Sequence, residues 1–273
     1  MTKTLCAAVQ MASSPNVSAN LIEAGRLIEK AAAQGASLVV LPENFALMGM
    51  AESDKLEVAE VEGVGRIQEF LAQTAERLKL WMVGGTIPIR ANAGKVHATS
   101  LIFNDRGEQV GRYDKIHLFD VNVPGTDEQY RESHTIEAGE HAVVLDTPFG
   151  RLGVTICYDL RFPELYRQMA DTGMDILAIP SAFTARTGAA HWDILVRARA
   201  LENLCYAIAS NQGGFHVNGR ETYGHSMIVD PWGKILASLP SGSGIVAAEI
   251  DMGRMEKVRA AFPALQHRRL RCG

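Results

Sequence analysis

Apolar positions along this chain follow two rhythms. In residues 20–34, NLIEAGRLIEKAAAQ, they recur at three- and four-residue steps, the spacing of an amphipathic helix. Residues 163–172, PELYRQMADT, do the same over a shorter span and open on proline, which suits a first helical turn. A glycine and a short, near-continuous apolar run follow each: GASLVVLPENF at 35–45 and GMDILAIPSAF at 173–183. The glycine is placed to end the helix, the run to form a strand, and the proline to stop it.

Glycine, strand, proline and phenylalanine recur at matching offsets, so the two stretches echo one another. A second echo joins TSLIFNDRGEQVG (99–111) to HSMIVDPWGKILA (225–237), each a strand, a four-residue turn closing on glycine, and a strand. A weaker third joins the apolar openings TLCAAVQM and RLGVTICY. Runs such as SLVVL and DILAI predict sheet covered on both faces, and the alternation with helices predicts α/β class. The hairpins favour mixed sheets, although one doubly wound sheet would satisfy the same pattern. The reading is a single domain over residues 1–273 with internal pseudo-twofold symmetry.

Composition supports a globular chain and narrows its partners. Of 273 residues, 47% are hydrophobic and 21% charged, enough for a large core. The net charge of −4 offers no field for nucleic acid or an anionic membrane. HRRLR at 267–271 is the closest thing to a basic run, and it reads as a solvated tail or subunit contact. No signal-peptide core and no apolar run long enough for a transmembrane helix is present. Four scattered cysteines without a CxxC pair point to a reducing cytoplasm rather than to zinc or disulfides.

Ligands in such folds collect beyond the carboxyl ends of strands. Glu43 follows SLVVL, Cys157 follows RLGVTI, and Ser181 to Phe183 follow DILAI, so the echo predicts that these ends share a pocket. Cys157 stands where a strand turns toward a helix, a place where free N–H groups would favour thiolate. Polar residues follow it directly in YDLR, which simple core packing does not require. Cys6 and Cys205 sit in apolar surroundings and read as structural, and Cys272 lies at the chain end. His117, His191 and His225 are candidate bases, with Lys115 and Glu43 as the competing polar groups.

Three blocks decide among these. LVVLPENF, GRYDKIHLFD and RLGVTICYDLRFPELYR resemble, in order and spacing, the signature blocks of the nitrilase superfamily of carbon-nitrogen hydrolases. The resemblance runs from AAVQM through GHSMIVDPWG. It implies a four-layer α-β-β-α sandwich of two mixed sheets with internal pseudo-twofold symmetry. It also implies a cysteine nucleophile, Cys157, with Glu43 as proton carrier and Lys115 beside the oxyanion. A second glutamate, Glu132 in the segment VPGTDEQYRESHTIEAG, would support the lysine. No metal or organic cofactor is implied, and assembly as a homodimer or larger homo-oligomer is.

The stretches CYDLRFPELYR, PSAFTARTGAAHWDILVRARALENLCYAIASNQGG and YGHSMIVDPWG are similar to the branch that cleaves the 2-oxoglutaramyl amide of deaminated glutathione. A sibling branch, the omega-amidases, acts on 2-oxoglutaramate, and carbamoylases carry a different segment after the cysteine. For such a small 2-oxo amide, the backbone N–H of Tyr158 would join Lys115 at the oxyanion. Arg161 could pair a carboxylate in a planar fork, unless it is tied to Glu164 or Asp159. Phe183, Thr184 and Thr187 could line the acyl pocket, with Thr187 the better candidate of the two threonines for polar contact. Phe183 could equally be core, as its echo Phe45 suggests. HWDILVRARALENL, which begins at His191, reads as a scaffold or subunit-contact helix.

Overall fold

The computed structural model describes residues 3–125 and 128–270. The first half of the chain contributes β1 (Lys3–Gln10), α1 (Val17–Ala33), β2 (Leu38–Val40), α2 (Arg66–Leu78) and β3 (Trp81–Val83). β4 (Ile87–Arg90), β5 (Val96–Phe103) and β6 (Gln109–Asp114) complete it. The second half contributes β7 (Val143–Thr147), β8 (Gly150–Val154), α3 (Pro163–Asp171), β9 (Ile176–Ser181) and α4 (Ala185–Asn203). β10 (Tyr206–Asn211), β11 (Ser226–Val229) and β12 (Ile235–Leu239) follow. β13 (Gly244–Asp251) then returns to the first sheet, antiparallel to β1, and α5 (Met252–Ala261) comes after it.

The echoes in the sequence are echoes of topology. β1, β2 and β3 run parallel, as do β8, β9 and β10. Next to each trio lies an antiparallel strand, β5 or β11, with its hairpin partner β6 or β12. An antiparallel strand guards the other side, β13 against β1 and β7 against β8. The hairpin turns match at the level of single bonds. The backbone N–H of Asn104 donates to Glu108 O at 3.0 Å, and that of Asp230 to Lys234 O at 2.9 Å. In each turn the first residue's side-chain oxygen also accepts from the backbone N–H groups two and four positions on.

Alternation along the strands builds the layers. Cys6 and Ala8 of β1, with Leu38 and Val40 of β2, point into an apolar core that also holds Leu152, Ile176 and Ile208 from the other sheet. Ala7, Val9 and Val39 point the opposite way, against Ala24, Leu27, Ile28 and Ala31 of α1. Leu165, Tyr166 and Met169 of α3 and Trp192, Val196 and Ala200 of α4 cover the second sheet. The result is helix, sheet, sheet, helix: two mixed sheets face to face, not one doubly wound sheet.

The glycines end the helices as expected. Gly35 and Gly173 adopt φ of 90° and 86°, a left-handed conformation that favours glycine, and each N–H closes the last turn. Two expectations need correction. Pro42 lies just beyond β2, but Pro180 does not stop its strand, since β9 runs on to Ser181. Pairing with β8 ends at Ala178, so at Pro180 only β10 flanks the strand, and a missing N–H on the open side breaks no ladder bond. Helix α4 begins at Ala185, well before His191, because Thr184 caps it and accepts from the Thr187 N–H at 3.3 Å. Cys272 and Arg271 lie outside the described residues; Arg268 pairs with Asp171.

Candidate active site

The strand ends converge on one cleft of about 360 Å³, part of it open to solvent, lined by Glu43, Lys115, Glu132, Cys157, Arg161 and Phe183 among others. Tyr158, Thr184 and Thr187 also face it. Each side chain is held by its local backbone. Glu43 follows β2, and its carbonyl accepts from Gln212 Nε2 at 3.0 Å. The next residue, Asn44, takes φ of 58° and donates its N–H to Thr86 Oγ1 at 2.8 Å. Lys115 leaves β6 with its N–H on Ala98 O and its carbonyl accepting from Gly139 N–H.

Three charges meet in the buried floor of the cleft. Lys115, 1% exposed, donates from Nζ to Glu43 Oε1 at 2.8 Å and to Glu132 Oε2 and Oε1 at 2.8 and 3.0 Å. Burial alone would discharge the ammonium, but the two carboxylates outweigh it and hold Lys115 well above the ordinary lysine value. Burial likewise opposes ionisation of Glu132, while Lys115 and Lys55 overcome it and keep Glu132 below the usual glutamate value. The Glu132 carboxylate also accepts from the Phe119 N–H at 2.7 Å, which fixes its direction. An ammonium has three donors, so one bifurcated bond to Glu132 and one bond to Glu43 leave one for a ligand.

Cys157 sits on a turn of its own. β8 ends at Val154, and a 3₁₀ turn, Cys157–Arg161, precedes helix α3. Cys157 itself has φ of 48°, a left-handed conformation that costs a non-glycine residue on the order of 1–2 kcal/mol. The expected help from a helix N-terminus is overturned: a single 3₁₀ turn stands there, and α3 starts only at Pro163. Burial, and then the Glu43 carboxylate, push the thiol well above the ordinary cysteine value; Lys115 and the Ala182 backbone offset only part of this. The thiol is therefore protonated at rest, next to a carboxylate able to take its proton.

What holds the strained turn was not found in the sequence. Asp159, fully buried, accepts at Oδ2 from the Ile156 N–H at 2.9 Å and the Tyr113 hydroxyl at 2.6 Å. Its Oδ1 accepts from the His117 N–H at 3.0 Å and contacts His117 Nδ1 at 2.7 Å. The carboxylate thus ties the residue before the nucleophile to the Lys115 segment. Arg199 of α4 donates from Nε and Nη2 to Leu160 O at 3.0 and 2.9 Å, closing the turn from the far side. An aspartate two residues past a cysteine and a tyrosine two residues before a lysine give no local signal of this.

The remaining candidates sort by position. His117 serves Asp159 and stacks on Phe162, His225 stacks on Tyr223, and His191 contacts Arg161, so none of the three histidines lines the cleft. Arg161 is tied to neither Glu164 nor Asp159. Its guanidinium lies 5.3 Å from the Phe183 ring and 5.7 Å from that of Tyr158, with His191 Nδ1 at 3.2 Å. No carboxylate among the described residues forms an ion pair with it. Phe183 satisfies both readings, since it faces the cleft and packs against Trp192 at 4.9 Å. Cys6 and Cys205 are buried in the core, where burial pushes both thiols up to about 12.

The sequence pattern of the carbon-nitrogen hydrolase family matches residues 5–260. The chain belongs to that family. Among curated relatives, the deaminated glutathione amidase of Synechocystis sp. is 47% identical to this hydrolase over 268 residues, 97% of each chain. That of Yersinia enterocolitica is 41% identical, covering 96% of this chain and 92% of its own, and that of Homo sapiens is 37% identical, covering 97% and 82%. The fold of the hydrolase matches the crystal structure of Saccharomyces cerevisiae Nit3, a member of branch 10 of the nitrilase superfamily, with a TM-score of 0.88. Identity is 36%, over 98% of this chain and 97% of that one. It also matches the C. elegans NitFhit protein, with a TM-score of 0.91 and 36% identity, and spans 65% of that longer chain.

Proposed function

We propose that the protein is an amidase that cleaves the 2-oxoglutaramyl amide bond of deaminated glutathione, releasing 2-oxoglutarate and cysteinylglycine. The observation that carries the reading is the cleft itself, where a protonated thiol, a carboxylate, a buried ammonium and a guanidinium without a carboxylate partner among the described residues face one small space. The names of the relatives support the substrate.

The chemistry follows from the resting charges. As Cys157 Sγ attacks the amide carbon, its proton passes to Glu43, so no free thiolate accumulates in the buried site. Negative charge moves to the carbonyl oxygen, where the free donor of Lys115 and the N–H of Tyr158 receive it. Glu43 then gives the proton to the departing nitrogen, the C–N bond breaks, and a thioester to Cys157 remains. Water, deprotonated by Glu43, attacks the thioester carbon, and the returning proton regenerates the thiol. Glu132 keeps Lys115 charged and aimed throughout. Arg161, with Thr187 beside it, pairs the carboxylate of the 2-oxo acid, while Phe183 packs against its carbon chain.

The shared apolar core supports one catalytic unit over the chain, and free, buried Cys6, Cys157 and Cys205 fit a reducing cytoplasm. Exposed Ile194 and Leu201 on α4, with Trp232 and Phe262, support assembly as a homodimer or larger homo-oligomer. The deciding experiment gives the purified protein deaminated glutathione and 2-oxoglutaramate in parallel. Higher kcat/KM on the former is expected. Preference for 2-oxoglutaramate would make it an omega-amidase, and turnover of neither would reject the reading.

A further inference from the structure

Beside the catalytic cleft lies a larger cavity of about 880 Å³, part of it open to solvent, whose wall includes Met48, Glu52, Lys55, Tyr130 and Asn218. Two residues, Asn44 and Arg220, line both spaces, so the cavity and the cleft adjoin there. No motif along the chain pointed to it.

Arg220 is the cation at the junction. Its guanidinium lies 4.5 Å from the ring centroid of Tyr130, and the Asn218 side chain accepts from its backbone N–H at 3.0 Å. Nη1 contacts the Met48 sulfur at 3.7 Å and, at a stretched 4.0 Å, Glu52, and the Tyr130 hydroxyl is a further polar partner of the guanidinium. Glu52 is already matched by Lys55 at 2.6 Å. Nε is buried and has no hydrogen-bond partner among the described residues. A buried guanidinium N–H left without a partner is costly, and the group that satisfies it best is a carboxylate, which fills two donors of the fork at once.

We propose that this cavity is the leaving-group subsite and that Arg220 takes the terminal carboxylate of the departing dipeptide. The inference rests on the amidase reading above and deepens it. A substrate with one carboxylate on the acyl side and another at the far end of the leaving group needs two cations on opposite sides of the scissile bond. Arg161 and Arg220 both line the cleft that holds Cys157, and of the two only Arg220 also lines the larger space. 2-Oxoglutaramate loses ammonia and has nothing to place there. The subsite is thus where an enzyme of this fold distinguishes a peptide leaving group from ammonia.

The test has two arms. In the first, kcat/KM on deaminated glutathione divided by that on 2-oxoglutaramate is measured for wild type, Arg220→Gln and Arg220→Lys. The ratio should fall about 10- to 100-fold in Arg220→Gln. It should fall less in Arg220→Lys, which keeps the charge near Glu43 but not the fork. An unchanged ratio, even with both activities reduced, overturns the proposal. The second arm needs no turnover: alanylglycine should slow alkylation of Cys157 by iodoacetamide in wild type and not in Arg220→Gln, and alanylglycinamide should protect poorly. Equal protection by the two compounds, or protection that survives in Arg220→Gln, overturns it as well. Should wild type cleave neither substrate, the amidase reading fails, and the alkylation arm still decides whether the cavity binds a dipeptide carboxylate.

Discussion

Asp159→Asn is the sharpest probe of how the nucleophile is held. The change is nearly isosteric, so it leaves no cavity and tests hydrogen bonding alone. In the native protein each carboxylate oxygen faces one backbone N–H and one side-chain group: Ile156 and Tyr113 on one oxygen, His117 twice on the other. An amide has one acceptor oxygen. Whichever way the substituted side chain turns, its NH₂ confronts either the Ile156 N–H or the His117 N–H, and that donor is orphaned in a fully buried setting. Tyr113 can rotate its hydroxyl and His117 can change tautomer, but a backbone N–H can do neither. An orphaned buried donor costs about 1–3 kcal/mol, and the bonds that remain lose their charge assistance, for a total of about 3 kcal/mol. At about 2–4 °C per kcal/mol for a chain of this size, the melting temperature should fall by about 6–12 °C. Activity should fall further than stability explains, because Cys157 at φ of 48° is held against its own preference and relaxes once its neighbour is released. Scanning calorimetry, urea titration and kcat at a temperature where the variant is fully folded give both numbers. A variant that melts within a degree of wild type with unchanged kcat refutes the argument.

Other expectations follow from the same geometry. Glu43→Gln should abolish turnover while making Cys157 titrate at lower pH than in wild type, because the carboxylate that raises the thiol is gone and Lys115 remains; thiolate absorbance at about 240 nm against pH reads this. Arg161→Met should raise KM for 2-oxo acid amides about 10- to 150-fold, with little change in Tm, since the guanidinium serves no ion pair among the described residues. The buried charges also set a pH window for stability. Glu132 has a lowered value when folded, so its contribution is present above the ordinary glutamate value of 4.5 and is lost as pH falls through the folded value. Lys115 has a raised value, so its contribution is complete below 10.5 and is lost only as pH climbs through the folded value. Urea midpoints should also fall above about pH 9, where the unfolded thiols of Cys6, Cys157 and Cys205 ionise and the buried ones do not, and below about 6.5, where unfolded His191 and His216 gain a proton that the folded ones resist. Glu132→Gln should remove the acidic shoulder that this residue contributes.

Much of this was legible along the chain because it depends on local pattern. Strand and helix periods follow from which side chains face water, and the repeated glycine, strand and proline declared the two halves on their own. Because equivalent strand ends must meet where two such halves pack, Glu43 and Cys157 could be brought together by argument. That the halves form two facing sheets came from family resemblance, since one doubly wound sheet has the same period. Local pattern could not say whether Cys157 rests as thiol or thiolate. That balance belongs to burial, Glu43 and Lys115, and it came out opposite to what a strand-to-helix turn suggests. Nor could it find Asp159 as the anchor of the turn or Arg220 beside a second cavity, because Tyr113 and His117, and Met48 and Tyr130, lie tens of residues away from them along the chain. Pattern along a chain fixes which face of each element is buried; only packing decides which charges share that interior, and electrostatic energy depends on distance in space.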